Sequence, residues 1–286
     1  IAQIPQAWFD EYRSFLDVCI VKDHSVRLSH YHVSAIAELE QSGKLRAGLK
    51  DRFRMLLEQE APADYDLPQN FGAALRPYQI IGYRWLRLLD ELNLGACLAD
   101  DMGLGKTIQT LTLLLWLKEQ NRRLNLLVVP TSLVFNWMNE ISKFCPSLKV
   151  YIHTGPDRMR EGKFDVSFDI IITSYAILRR DKDMFAANDF GYVILDEAQA
   201  IKNAGADIFR AVISLRAQRF LTLTGTPLEN SFADLWSQMH FVNRGILGSL
   251  KDFNSRMQEP DYQSRVAMLI KPFILRRTKA QVLTDL

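Results

Sequence analysis

Cysteine is scarce in this chain. Cys19, Cys97 and Cys145 are the only three in 286 residues, and no two of them form a Cys-x-x-Cys pair. That spacing excludes a disulfide framework and the usual structural zinc site, and it fits a reducing compartment. Long hydrophobic runs are lacking too. The longest near-apolar stretch runs from Leu111 to Leu117, too short to cross a bilayer, and no secretory leader pattern is visible. No membrane partner is expected. Charge of one sign is also missing, since the net charge is +2 at pH 7. Any binding to nucleic acid must therefore use a local basic surface. There is no internal repeat and no low-complexity tract.

What remains is an ordinary globular composition, 48% apolar and 24% charged, in a chain long enough to bury a large core. The chain starts with Ile and reads as a piece of a longer one. Residues 1 to about 60 carry helical patterning, strongest over Ser34–Glu40 and Leu49–Glu60. The polar stretch from Gln59 to Pro68, with Pro62 and Pro68, reads as a linker. A boundary is expected near residue 70. Residues 1–70 form a mostly helical appendage, either the tail of an upstream domain or a brace, and residues 71–286 form the main lobe.

Beyond residue 70 short apolar runs alternate with helical stretches. The runs are Ala96–Ala99, Leu126–Val129, Lys149–Ile152, Asp169–Thr173, Tyr192–Leu195 and Arg219–Thr224. Continuous hydrophobicity in a short strand implies burial on both faces. The alternation implies an α/β fold with a parallel sheet flanked by helices. Cys97, in the first run, reads as a small buried hydrophobe.

Two strings carry chemistry. The first is Asp100-Asp101-Met102-Gly103-Leu104-Gly105-Lys106-Thr107, between the first run and an apolar helix. A strand, a glycine-bearing turn and a helix start gather backbone N–H groups around an anion. Gly103 and Gly105 permit positive φ and close approach. Lys106 can reach the outer phosphates of a nucleotide, and the Thr107 hydroxyl can ligate Mg²⁺. Asp100 occupies the position where a strict phosphate loop has its first glycine. The second string is Asp196-Glu197-Ala198-Gln199, at the end of the run Tyr192–Leu195. Carboxylates at the carboxyl edge of a sheet stand where open α/β folds bind ligands. Asp196 can hold Mg²⁺, and Glu197 can orient and deprotonate an attacking water. Two adjacent acids call for a nearby cation.

Further strings follow the same order. Leu75-Arg76-Pro77-Tyr78-Gln79, with Gly82 and Trp85, precedes the phosphate loop. Val129-Pro130-Thr131-Ser132-Leu133 with Asn136-Trp137, Ile172-Thr173-Ser174-Tyr175 and Leu223-Thr224-Gly225-Thr226-Pro227-Leu228-Glu229-Asn230 come after it. Pro272-Phe273-Ile274-Leu275-Arg276-Arg277-Thr278-Lys279 closes the set. From about residue 72 to 286 this resembles the first RecA-like lobe of the Swi/Snf family of helicase-like ATPases, in helicase superfamily two. Asp100 matches that family's usual variant of the loop. Asp101 stands where the family commonly has Glu, and the acidic box reads DEAQ instead of DEAH or DEGH.

The resemblance implies a RecA-like P-loop NTPase fold, with ATP and Mg²⁺ as cofactors. It implies that Gln79 reads adenine and that Gln199 joins the nucleotide site. Thr224 and Thr226 would link the acidic box to DNA or to a second RecA-like lobe. Family analogy places double-stranded DNA across the loops that follow several strands, held by its phosphates without base preference. The candidates are Thr131, Ser132, Thr173, Ser174, Lys202, Asn203, Arg276, Arg277 and Lys279. Arg158, Arg160 and Lys163 read as solvated, and Trp137 as core. The activity implied is DNA-dependent ATP hydrolysis with translocation and remodelling of protein–DNA complexes, acting on protein targets that the sequence does not name. Strand separation and a nucleotide-gated scaffold are the competing readings. A bacterial cytoplasm is the expected setting, or a nucleus if the source is eukaryotic.

Overall fold

The computed structural model describes residues 20–22, 25–27, 32–41, 51–60, 62–121, 124–225 and 232–283. In the first segment, Ile20–Lys22 (β1) pairs antiparallel with Ser25–Arg27 (β2). Helices follow at Val33–Gln41 and Asp51–Glu58. The helices agree with the sequence patterning, but the small hairpin does not. Strands of three residues are too short to leave a periodic signal.

From residue 51 onward the segment packs against the main body. Leu56 is fully buried, and the Gln59 amide donates to the Lys271 carbonyl at 3.1 Å. The stretch expected as a linker is likewise seated. Tyr65 is buried, its carbonyl accepts from Arg84 at 3.2 Å, and the Tyr83 hydroxyl donates to the Asp66 carbonyl at 3.0 Å.

The main body is one seven-stranded sheet. Its strands are Ala96–Leu98 (β3), Asn125–Val129 (β4), Val150–His153 (β5), Ile170–Ser174 (β6), Asp189–Leu195 (β7), Arg216–Leu223 (β8) and Ile274–Leu275 (β9). They lie in the order β5-β6-β4-β7-β8-β3-β9, and every pairing is parallel. The six apolar runs of the sequence correspond to β3–β8. All residues of β3, β4 and β6 are buried, as expected of strands covered by helices on both faces. The seventh strand, β9, lies inside the closing basic string and is only two residues long.

The helix Lys106–Glu119 has Leu111, Leu113, Leu114, Leu115 and Leu117 buried, so it is apolar nearly all round. The helix Val134–Phe144 is amphipathic and buries Trp137 and Ile141. At the β5 edge, Arg158 is not solvated as the sequence suggested. It grips the Asp181 carboxylate through Nε and Nη2 at 2.5 and 2.9 Å, and His153 Nε2 lies 3.1 Å from the same group. The Arg158 guanidinium, first among the causes, holds Asp181 below the usual carboxylate range. Among the described residues, no helix is long and apolar enough to cross a membrane.

Candidate nucleotide-binding site

In a parallel sheet all carboxyl ends point one way, so the loops after β3, β4, β7 and β8 open onto a common edge. The register makes them level. Leu98 pairs with Leu223, Leu195 with Thr222 and Val128 with Leu195. The phosphate loop after β3 and the acidic box after β7 therefore flank the end of β8. Two strand spacings, roughly 10 Å, separate them.

Gly103 and Gly105 have φ of +88° and +83°, in the left-handed region that the turn requires. Gly105 is the residue that starts the helix Lys106–Glu119. Its backbone passes so close to Gln79 that a Cβ there would stand 2.5 Å from the amide nitrogen. Leu104 anchors the loop from beneath, in a small apolar cluster with Tyr78 and Val282. Met102, by contrast, is exposed and lies over Gly225, whose hypothetical Cβ would be 3.2 Å from the Met102 Cγ.

The Lys106 ammonium donates to the Asp100 carbonyl at 2.7 Å and reaches the Asp101 carbonyl at 3.5 Å. To meet a phosphate it must leave these two oxygens. Burial lowers the Lys106 pKa, opposed by Asp100, Glu197, Asp196 and Asp101 in that order. The lysine thus sits in the field of both acidic-box carboxylates. Thr107, next in the helix, is half-buried.

Asp196 is buried, and both of its oxygens are engaged. Oδ2 accepts from the Trp137 indole at 2.7 Å, and Oδ1 from the Glu197 backbone N–H at 2.9 Å. Burial raises its pKa, the Glu197 charge adds to that, and the Trp137 bond works against it. The Asp196 carbonyl accepts from the Tyr175 hydroxyl at 2.7 Å. Glu197 itself adopts φ of +48°, an uncommon conformation for a residue with a Cβ. Gln199 donates to Glu197 at 2.7 Å and accepts from the Thr224 hydroxyl at 3.3 Å. An amide can do both at once, so this side chain ties the acidic box to the end of β8.

This donor set suits Mg²⁺. A hydroxyl at Thr107 and a carboxylate at Asp196 are hard oxygen ligands, and Mg²⁺ fills its remaining positions with phosphate oxygens and water. A buried carboxylate beside a second one is the electrostatic setting that a cation relieves.

Gln79, at the start of the helix Pro77–Glu91, is buried with its amide committed at both ends. Oε1 accepts from Arg76 N–H at 3.0 Å, and Nε2 donates to the Leu104 carbonyl at 3.2 Å and the Tyr78 hydroxyl at 3.3 Å.

The nucleic-acid candidates divide. Thr131, Ser132, Lys202, Asn203 and Arg276 are exposed. Lys279 is exposed too, but its side chain lies against the phosphate loop, with Nζ 4.0 Å from a Cβ placed on Gly103. Its backbone N–H donates to the Asp101 carboxylate at 3.0 Å. For Thr173, Ser174 and Arg277 the expectation is corrected. Thr173 is fully buried, with its hydroxyl donating to the His153 carbonyl at 2.8 Å. Ser174 caps the helix Tyr175–Arg180 by accepting from Ile177 N–H at 3.3 Å. Arg277 spends its guanidinium on the Asp100 carboxylate, Nε to Oδ1 at 2.9 Å and Nη2 to Oδ2 at 2.5 Å. Thr224 is buried on the acidic-box side. Thr226 lies outside the described residues.

Sequence reading missed Tyr175 and Gln109 as parts of this site, and took Trp137 for core alone. Gln109 left one usable signal, a polar residue on the otherwise apolar helix Lys106–Glu119. Trp137 and Tyr175 stand in two of the strings that carry the resemblance, but their bonds to Asp196 form only in the folded chain.

Comparison with known proteins bears on the family and the fold. The sequence pattern of the SNF2-related domain matches residues 78–286. The structure is similar to the SWI2/SNF2 ATPase core of Sulfolobus solfataricus, solved in complex with double-stranded DNA. The TM-score is 0.70 at 42% identity, covering 76% of this chain and 47% of that one. YwqA of Bacillus subtilis is 40% identical over 243 residues, which is 81% of this chain and 26% of that protein. Helicase ssl-1 of Caenorhabditis elegans is 41% identical over 228 residues, 73% of this chain and 10% of that protein. The chain thus spans about a quarter or less of these curated relatives.

Proposed function

The chain belongs to the SNF2-related domain family, and from that membership we propose that it is the ATP-binding lobe of a DNA-dependent ATPase that moves along double-stranded DNA and remodels protein–DNA complexes. One observation carries the proposal. Lys106 and Thr107 on one side, and Asp196 and Glu197 on the other, face a common edge of the sheet, with Lys106 in the field of both carboxylates.

In this reading the phosphates of ATP rest on the loop Asp100–Thr107 and the helix N-terminus behind it. Lys106 compensates their charge. Thr107 and Asp196 hold Mg²⁺, whose part is to neutralise charge on the phosphate oxygens. Glu197 takes the proton of the attacking water, and Gln199 fixes its carboxylate. Gln79 must release its bonds to the Arg76 N–H and the Leu104 carbonyl to turn its amide to the adenine edge.

The exposed Thr131 and Ser132 lie in a short 3-10 helix after β4, Lys202 and Asn203 in the loop beyond the acidic box and Arg276 in the closing string, and phosphate contacts suit them. The DNA complex of the archaeal relative supports this choice of ligand. That core is about twice the length matched here, and a second lobe would bring arginines to the transferring phosphoryl group. Such an arginine contributes about 10³–10⁵ in rate, so the present chain alone is expected to turn over ATP very slowly.

The test uses the full-length protein. Lys106→Ala is expected to abolish nucleotide binding, and Glu197→Gln to retain bound ATP while stopping hydrolysis. Survival of ATPase activity in Lys106→Ala would refute the proposal, whereas a scaffold would keep its function in Glu197→Gln. Because relatives include proteins named helicases, a strand-displacement assay accompanies it. Unwinding without translocation on intact duplex would favour strand separation.

A further inference from the structure

Asp100 is a fully buried carboxylate at the head of the phosphate loop, only six residues from the lysine that the nucleotide needs. Resting on the nucleotide reading above, we propose that Arg277 is a positioning residue of the ATP site, which neutralises Asp100 and so keeps the Lys106 ammonium available to phosphate.

The geometry is that of a clamp with several independent fixings. Arg277 binds the Asp100 carboxylate with two side-chain bonds, at 2.9 and 2.5 Å, and with its own backbone N–H at 3.1 Å. The neighbouring Asp101 adds a bond in the other direction, from its N–H to the Arg277 carbonyl at 3.0 Å. Gln109 donates to Asp100 at 3.2 Å and accepts from Arg277 at 2.8 Å. The guanidinium also donates to the Tyr78 carbonyl and lies 5.3 Å from the Tyr78 ring centroid. It therefore joins the phosphate loop to the turn that carries Gln79. Space for the clamp comes from Gly82. A Cβ there would meet the Gln109 amide oxygen at 1.8 Å and the Arg277 Nη2 at 2.8 Å.

The electrostatic argument gives the clamp a role beyond stability. A buried carboxylate without a partner is costly, and it is relieved either by taking up a proton or by drawing in a cation within reach. Lys106 already lies in the field of Asp100, and its ammonium rests on the Asp100 carbonyl at 2.7 Å. Capture of that ammonium by the carboxylate would withdraw it from the phosphates. A planar fork suits the two-oxygen contact, and Arg cannot lose its charge, so lysine is an incomplete substitute.

Titrating a fluorescent ATP analogue with Mg²⁺ into the full-length protein tests this, with melting temperature measured in parallel and binding read well below it. Arg277→Gln is expected to raise Kd at least tenfold, and Arg277→Lys less. Asp100→Asn combined with Arg277→Gln is expected to return Kd to within about threefold of the parent, because the stranded charge is gone. A merely structural role would lower the melting temperature and leave the Kd of the folded fraction unmoved, and that result overturns the proposal. A double variant that binds as poorly as Arg277→Gln overturns it too. If Arg277→Gln does not fold, Arg277→Lys and the double variant decide alone: a Kd at parent level in the lysine variant, or no recovery in the double one, counts against it. Lys106→Ala serves as the reference. If it leaves Kd unchanged, the phosphate-loop reading itself fails. If it abolishes binding while Arg277→Gln does not, only the clamp fails.

Discussion

Trp137 contributes its indole ring to the core and its N–H to Asp196, and these two contributions can be separated. Trp137→Phe keeps a large ring and deletes the 2.7 Å bond to Oδ2. A bond to a charged group contributes about 1.5–3 kcal/mol. Here it also sets the direction of a carboxylate that would hold Mg²⁺. The expected outcome in the full-length protein is an ATP turnover lowered about tenfold, equivalent to about 1.4 kcal/mol. Unchanged turnover in a steady-state ATPase assay would show that the backbone N–H of Glu197 and the strand alone orient Asp196. The same residue-scale view clarifies the DEAQ box. Gln199 cannot titrate, yet it donates to Glu197 and accepts from Thr224. What the box needs at that position is a donor and an acceptor on one side chain.

At the scale of elements, the start of β3 is set by a close backbone crossing. Gly95 exchanges two bonds with the Asn243 amide, at 2.9 and 3.2 Å, and a Cβ on it would stand 2.0 Å from the Val242 carbonyl oxygen. Backbone atoms cannot swing aside, so Gly95→Ala is expected to cost about 2–3 kcal/mol and to lower the melting temperature by roughly 5–10 °C. Calorimetry checks it, and a wild-type melting temperature would mean that the Phe232–Val242 helix shifts freely. Elements of this kind explain what was legible beforehand. β3–β8 were visible as apolar runs, most plainly β3, β4 and β6, whose residues are all buried and admit few polar side chains. The phosphate loop and acidic box were visible because each is a local string. β9 was not, since two residues carry no period, and neither was the β1–β2 hairpin. The pairing of Asp100 with Arg277 was hidden for another reason. The residues lie 177 positions apart, and each alone fits a solvated or phosphate-facing role equally well. Burial of Thr173 and Ser174 was concealed likewise, because a hydroxyl that bonds a strand carbonyl or caps a helix is spelled like one that faces solvent.

At the scale of the molecule, a net charge of +2 makes any DNA affinity the work of a few placed cations. Each phosphate neutralised adds about −0.9 to the slope of log K against log salt on duplex DNA. Lys202→Ala is expected to weaken binding evenly across duplexes of different base composition and to make that slope shallower by about one. Filter binding or anisotropy over a salt series checks this, and an unchanged slope would remove Lys202 from the interface. The clamp between Asp100 and Arg277 has a consequence at this scale that concerns birth and not catalysis. A ribosome adds about 5–20 residues per second, so Asp100 leaves the peptidyl-transferase centre roughly 10–35 s before its partner is made. Throughout that interval the nascent chain holds the whole phosphate loop but not the arginine that completes it. On the clamp proposal, competence to take up nucleotide thus waits for Arg277, by which point all seven strands of the sheet have been made.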